Sequence, residues 1–176
     1  MGKIITEQWV NAELPRVFAF FSDPENLPKL MPPAMAVRLE KVDLKTPSDA
    51  DLESVVGSGR KPGALVAGVG TLIFISFRLV PLLPFRGRWT AEIVEFEPLS
   101  YFLDLQRKGP MRFWRHRHVF REEVRNGQTG TVVRDEVEFS LPGGPLGRII
   151  DLLVEPMMRR TFASRQRELE RLLKRN

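Results

Sequence analysis

Apolar and polar positions trade places along "KIITEQWVNA", which predicts a first strand with Ile5, Gln8 and Val10 near its centre. The period then changes. In "LPRVFAFFSD" the apolar residues Val17, Phe18, Phe20 and Phe21 supply one side of a helix. Pro15 suits its first turn, where a missing amide costs nothing. Asp23-Pro24 breaks that helix and starts a second short one, "PENLPKLM", which Pro32 and Pro33 end. "AMAVRLEKVDL" alternates again as a strand, with Val37, Leu39 and Val42 as its buried members.

The next segment, "KTPSDADLESVVGSGRKPGA", is rich in Ser, Asp, Gly and Pro, and reads as a long mobile loop over Lys45–Gly63. Apolar strand patterns resume in "GVGTLIFISFRLVPLL", which Pro81 and Pro84 stop. "RGRWTAEIVEFEP", "SYFLDLQRKG" and "MRFWRHRHVFREEV" follow as three more strands. The turn signal "RNGQTG" leads into "TVVRDEVEFSL", whose period-two alternation is clean. From Pro145 onward a long helix is predicted, with Leu146, Ile149, Ile150, Leu153, Met157, Phe162, Leu169 and Leu172 mostly on one face. Pro156 inside it implies a kink or two collinear segments. "LPGGPLGR" turns the last strand into this helix.

These elements make one α+β domain over residues 1–176: a strand, two short helices, a run of antiparallel strands and a long C-terminal helix. A sheet this large with one helix on its concave side tends to leave a cavity. Composition narrows the function. Zero cysteines exclude disulfides, thiol catalysis and thiolate-bound zinc. No apolar run approaches the ~20 residues of a membrane-spanning helix. "MGKIITEQWV" lacks the apolar stretch and cleavage pattern of a signal peptide, so a cytoplasmic protein is expected. The net charge of +5 permits anionic ligands.

Eight cations (Arg148, Arg159, Arg160, Arg165, Arg167, Arg171, Lys174, Arg175) and four anions (Asp151, Glu155, Glu168, Glu170) fall within the C-terminal helix region. They read as a solvated helix face. Without interleaved aromatics or a binding motif they do not indicate nucleic acid, while peripheral contact with a membrane or an acidic partner stays open.

The order of elements resembles the helix-grip fold of the Bet v 1-like superfamily, also called SRPBCC or START-like. Three stretches carry the likeness: "VNAELPRVFAFFSDPENLPKLMPP", "PFRGRWTAEIVEFEPLSYFLDLQRKGPMRFWRHRHVF" and "DEVEFSLPGGPLGRIIDLLVEPMMRRTFASRQRELERLL". Gly109-Pro110, the run Trp114-Arg115-His116-x-His118-x-Phe120 and Asp135-Glu136-Val137 resemble its bacterial polyketide cyclase/dehydrase-like or coenzyme-Q-binding-like branch. The likeness covers nearly the whole chain outside the Lys45–Gly63 loop. It implies a protein that binds lipids, sterols, polyketides or hormones, with only some members catalysing a reaction.

His116 and His118 are the chain's only histidines. Residues two apart in a strand share a face, so Trp114, His116, His118 and Phe120 point together, opposite Arg115 and Arg117. The arginines belong in water, which turns the histidines toward the concave side. On the next strand Val133, Asp135, Val137 and Phe139 share the inward face. A two-residue turn at Asn126-Gly127 would set His118 opposite Asp135, whereas a turn centred on Gln128-Thr129 would shift the pairing.

Four readings of His116, His118 and Asp135 stay open. They orient a ligand's polar group, do acid–base chemistry, bind a metal, or merely satisfy one another in the wall. Without a third histidine the metal reading ranks last, and no metal or cofactor is expected. His116, His118 and Asp135 are the catalytic candidates if there is a reaction.

The predicted function is binding of a hydrophobic or amphipathic small molecule (a lipid, quinone or polyketide-like compound) between the sheet and the C-terminal helix. The alternative is a polyketide cyclase/dehydrase-type enzyme using the same cluster. Trp114, His116, His118 and Asp135 form the polar or aromatic handle. Phe120, Val137, Phe139, Ile150, Val154 and Met158 are the apolar lining, joined by Phe74 and Leu103, whose strand faces the pattern leaves open. The Lys45–Gly63 loop is placed at the mouth as a gate. Met31, Met35, Met157 and Met158 are able to line an adaptable pocket, but methionine on an apolar helix face is more often plain core, and Trp9, Trp89 and Tyr101 read as core. The oligomeric state is left open.

Overall fold

The computed structural model describes residues 1–56, 65–78 and 85–174, with the backbone alone for 56 and 144–153. Seven strands, β1 (Gly2–Val10), β2 (Arg38–Asp43), β3 (Leu72–Arg78), β4 (Arg86–Glu97), β5 (Tyr101–Lys108), β6 (Phe113–Arg125) and β7 (Gln128–Ser140), form one curved antiparallel sheet. Its order is β1-β7-β6-β5-β4-β3-β2. Consecutive strands from β2 to β7 are neighbours, while β1 pairs with β7 at the far edge. The chain therefore has to cross between the two edges after β1. It does so through α1 (Leu14–Ser22), a 3-10 turn at Pro24–Asn26, and α2 (Leu27–Leu30).

The β6–β7 hairpin has the register that matters most. Asn126 and Gly127 both adopt positive φ, 52° and 76°, the signature of a two-residue type I′ turn. Arg125 pairs with Gln128 across it, and thirteen pairs run to Phe113–Ser140 without a shift. His118 therefore lies directly opposite Asp135. Gly143, at φ 127°, takes a backbone conformation closed to side-chain-bearing residues and lets β7 turn into α4 (Gly144–Lys174).

The α4 helix runs unbroken through Pro156 and crosses the concave face of the sheet. Phe162, Arg165 and Leu169 recur at helical spacing and are buried. Backbone carbonyls of α4 also accept from the rest of the fold. Gln8 Nε2 donates to the Gln166 carbonyl at 3.0 Å, and Arg16 Nη2 to that of Leu173 at 2.9 Å.

Apolar packing divides into two clusters. One joins α1 to β5, β6, β7 and the end of α4, with Phe18 at its centre in edge-to-face contact with Phe96, Phe102 and Phe120. The other gathers Ile4, Trp114, Val137, Phe139 and Phe162. On β1 the inward phase belongs to Ile4 and Val10, while Ile5 is 42% exposed.

The segment expected to be a long loop holds an additional helix, α3 (Asp49–Val56). Ser48 caps it. Its hydroxyl accepts from the Asp51 amide at 3.3 Å and donates to the Asp51 carboxylate at 2.7 Å, the capping-box pattern Ser-x-x-acid. Val55, fully buried, and Leu52 pack into the first cluster. This corrects the loop reading for 49–56, while 57–63 lie outside the described residues.

The Phe18 ring fills the point where α1 meets three strands, so its removal leaves a cavity that rigid neighbours cannot close. Phe18→Ala is expected to lower unfolding free energy by about 3–5 kcal/mol in a urea titration.

Candidate functional site

The register of the three central strands assembles a cluster that no single strand displays. Across β6–β7, His118 faces Asp135, and across β5–β6, His116 faces Asp104. All four side chains point to the concave face, and α4 brings Arg165 over them. Trp114, His116, His118 and Asp135 are buried, as is Arg165.

The imidazole rings lie 3.8 Å apart, between two carboxylates. Asp135 Oδ1 is 2.9 Å from His116 Nε2 and 3.0 Å from His118 Nδ1. On the other side Asp104 Oδ2 is 3.6 Å from His116 Nδ1 and 3.5 Å from His118 Nε2. The Asp135 carboxylate can only accept, so the His116 hydrogen bond places a proton on Nε2. The His118 contact has the length of a hydrogen bond but not its direction, and His118 Nδ1 is left without an aligned partner. Arg165 Nη2 approaches Asp135 Oδ1 at 4.0 Å, its guanidinium 5.0 Å from the centre of the Phe162 ring.

Burial and charge pull these groups apart. Burial, together with the neighbouring His118 charge, pushes His116 down to about 4 against its hydrogen bond to Asp135. Burial alone would lower His118 as well, but Asp104 and Asp135 outweigh it and raise it. Burial works to raise the Asp135 carboxyl, yet Arg165 and the two histidines hold it well below the usual carboxylate range. The imidazole pair thus takes up one proton readily and resists a second.

In front of the cluster opens a cavity of about 480 Å³, within the range of small-molecule sites. Its walls are mostly apolar: Ile73, Ile75 and Phe77 from β3, Trp89, Ala91 and Ile93 from β4, Phe102 from β5 and Trp114 from β6. The first two helices add Phe20, Phe21, Leu27 and Leu30. Met31 and Met35 follow, and α4 contributes Met157, Met158 and Phe162. Asp104, His116, His118 and Arg165 form a polar patch in this lining, which also holds Asp23, Asn26, Arg78, Arg160 and Ser164.

Of the residues singled out in the sequence, Trp114, His116, His118 and Met158 line this cavity. Asp135 does not. It sits behind the histidines and reaches only a space of about 10 Å³ beside Gln8, Arg165 and Leu169. Phe120, Val137 and Phe139 face inward but are consumed by the two apolar clusters, and Val154 packs against the second. Strand parity displaces Phe74 and Leu103. Their neighbours Ile73, Ile75, Phe102 and Asp104 take the cavity face, while Phe74 turns to the Lys41 ammonium, 5.5 Å from its ring centre. The side chain of Ile150 lies outside the described residues. Met31, Met35 and Met157 line the cavity, Trp89 and Met158 line it while also packing against the second cluster, and no described residue of α3 reaches it.

Two site residues escaped the sequence reading. Asp104 stands in "YFLDLQ", where both faces carry apolar residues and hide its orientation. Arg165, grouped with the solvated cations, is 8% exposed. Its signal was its place on the apolar stripe, between Phe162 and Leu169.

A family model described as polyketide cyclase/dehydrase and lipid transport matches residues 1–175. No curated protein matches the chain. Among solved structures, TTHA0849 from Thermus thermophilus is 16% identical with a TM-score of 0.58, over 97% of this chain and 95% of that one. Ara h 8.0201 is 12% identical with a TM-score of 0.61, over 99% of both chains. Norcoclaurine synthase from Thalictrum flavum, solved in complex with dopamine and hydroxybenzaldehyde, is 16% identical with a TM-score of 0.57, over 99% and 87%. The architecture is that of the Bet v 1-like helix-grip fold.

Asp135 and Arg165 compensate one another in a buried setting. Asp135→Asn or Arg165→Met alone is expected to cost about 3 kcal/mol, because each leaves a buried charge uncompensated. The double variant loses less than the sum, with a coupling of about 1–3 kcal/mol in a denaturation cycle.

Proposed function

We propose that this chain, which belongs to the polyketide cyclase/dehydrase and lipid transport family, acts as a single ligand-binding domain for an amphipathic small molecule. One observation carries the reading: a mostly apolar cavity of about 480 Å³ with Asp104, His116, His118 and Arg165 together on its wall. Transfer of a ligand's hydrocarbon body from water to such walls is worth about 25 cal/mol per Å². The polar patch then sets orientation. Its His116, His118, Asp104 and Arg165 include donors and an acceptor, so a hydroxyl, carbonyl or carboxylate on the ligand finds a partner. A lipid, a quinone or a polyketide-like compound meets these demands. Methionines at the walls suit a ligand of irregular outline, since their unbranched chains repack at low cost.

A second reading, catalysis of dehydration or ring closure, is favoured by one feature of the same site. Both imidazoles reach the cavity while Asp135 lies behind them and is hydrogen-bonded to His116, the arrangement in which a carboxylate orients a histidine for proton transfer. One imidazole would remove a proton from the substrate and the other would protonate the departing hydroxyl.

Denaturation of freshly purified protein, extraction with organic solvent and mass spectrometry are expected to release a discrete amphipathic compound near one equivalent. Ala91 lines the cavity from the middle of β4, so Ala91→Phe is expected to fill space and empty the extract while the fold, read by circular dichroism, is kept. An extract unchanged by Ala91→Phe would place the compound elsewhere and end the binding reading. His118→Ala separates the two functions. Loss of affinity is the outcome for a binder, and loss of turnover with binding mostly kept is the outcome for an enzyme.

A further inference from the structure

We propose that Asp104, His116 and His118 form a site for one divalent first-row transition ion in the wall of the cavity. Their donor atoms, Asp104 Oδ2, His116 Nδ1 and His118 Nε2, all lie within 4.8 Å of one another, and the carboxylate oxygen is 3.6 and 3.5 Å from the two nitrogens. An ion about 2.0–2.2 Å from such donors spans them at separations of about 3–3.5 Å. Small side-chain rotations therefore bring the three onto one centre.

The groups behind the donors supply an independent argument. A metal-binding imidazole ligates through one nitrogen and gives the proton on the other to a carboxylate, which fixes tautomer and ring orientation. His116 has this second partner as a hydrogen bond, and His118 has it within reach. Asp135 Oδ1 is 2.9 Å from His116 Nε2 and 3.0 Å from His118 Nδ1, so one carboxylate oxygen faces the remote nitrogen of each ring. Ligation of His118 through Nε2 would leave its proton on Nδ1, facing Asp135, and would give a role to the nitrogen that lacks an aligned partner. Asp135 is in turn paired with Arg165 and does not line the cavity. It is an orienting group rather than a fourth ligand.

The donor set defines the class of ion. Two imidazoles and one carboxylate suit zinc, iron(II), cobalt or nickel better than calcium or magnesium. The cavity in front leaves coordination positions to which a polar group of the bound molecule could add. The chain has no third histidine to complete such a donor set. The fold supplies the third donor from β5 instead, because Asp104 pairs with His116 in the sheet. This inference does not depend on which molecule fills the cavity.

With only two histidines and no cysteine in the chain, the test has a direct readout. Tag-free protein, stripped with a chelator, is titrated with cobalt(II) by visible absorption and with zinc(II) by calorimetry. One ion per chain is expected, bound at least about tenfold more weakly in Asp104→Ala. The nearly isosteric Asp104→Asn, with melting curves to confirm its fold, is expected to show the same direction. Control variant Asp49→Ala, on α3, should bind as the parent does. In protein labelled with nitrogen-15 in its imidazoles, zinc should perturb Nδ1 of His116 and Nε2 of His118. Absence of saturable binding overturns the proposal, as does affinity unchanged in both Asp104 variants, or zinc binding that leaves both imidazoles unperturbed.

Discussion

The buried Asp135 carboxylate is the constraint on which the rest of the site depends. Removing a carboxylate from water costs several kcal/mol unless charge and hydrogen bonds replace the solvent. Here the replacements come from three directions: Arg165 on α4, and His116 and His118 on the neighbouring strand. The helix crosses the sheet where the buried Arg165 meets this acid. Phe162 and Leu169 on the same stripe pack to either side of Arg165, into the second and the first apolar cluster. Apolar contacts alone would tolerate α4 sliding along the sheet, whereas a buried charge pair has one satisfactory register.

That pairing also organises the cavity. The sheet is too broad for one helix and two short ones to cover. Apolar packing concentrates at two places, around Phe18 and around Phe139 and Phe162. The β3–β5 part of the concave face is left to the cavity. The histidines stand at the boundary between packed wall and open space. Asp135 holds them from the packed side, and Asp104 faces them from the open one. Whatever binds in the cavity meets two rings whose orientation has already been decided behind them.

Much of this was legible in the chain. The β6 and β7 strands have one apolar and one charged face, so alternation alone turned Trp114, His116, His118 and Asp135 inward. Asn126-Gly127 and Gln128-Thr129 were both possible turn centres in the chain, and the structure places the turn at Asn126-Gly127, where both residues take positive φ. The pattern failed where it was ambiguous. In β3 and β5 apolar residues occupy both faces, and neither Phe74 and Leu103 nor Asp104 could be oriented from period alone. The capping box at Ser48 was present in the sequence but outweighed by the surrounding loop composition, and α3 was missed.

The sequence by itself determined the order and type of the elements apart from α3, the long amphipathic helix and the inward face of the two hairpin strands. These are local properties, set by periodicity and by the conformational limits of a few turn residues. Tertiary structure decided which inward residues reach open space. Phe120, Val137 and Phe139 share a face with the histidines yet are used up in packing, because α1 and α4 lie over them. It also brought Asp104 and Arg165 to the histidines from 12 and 47 residues away in sequence, the separations of His116 from Asp104 and of Arg165 from His118. Such encounters are governed by sheet register and helix docking, and no local pattern encodes them.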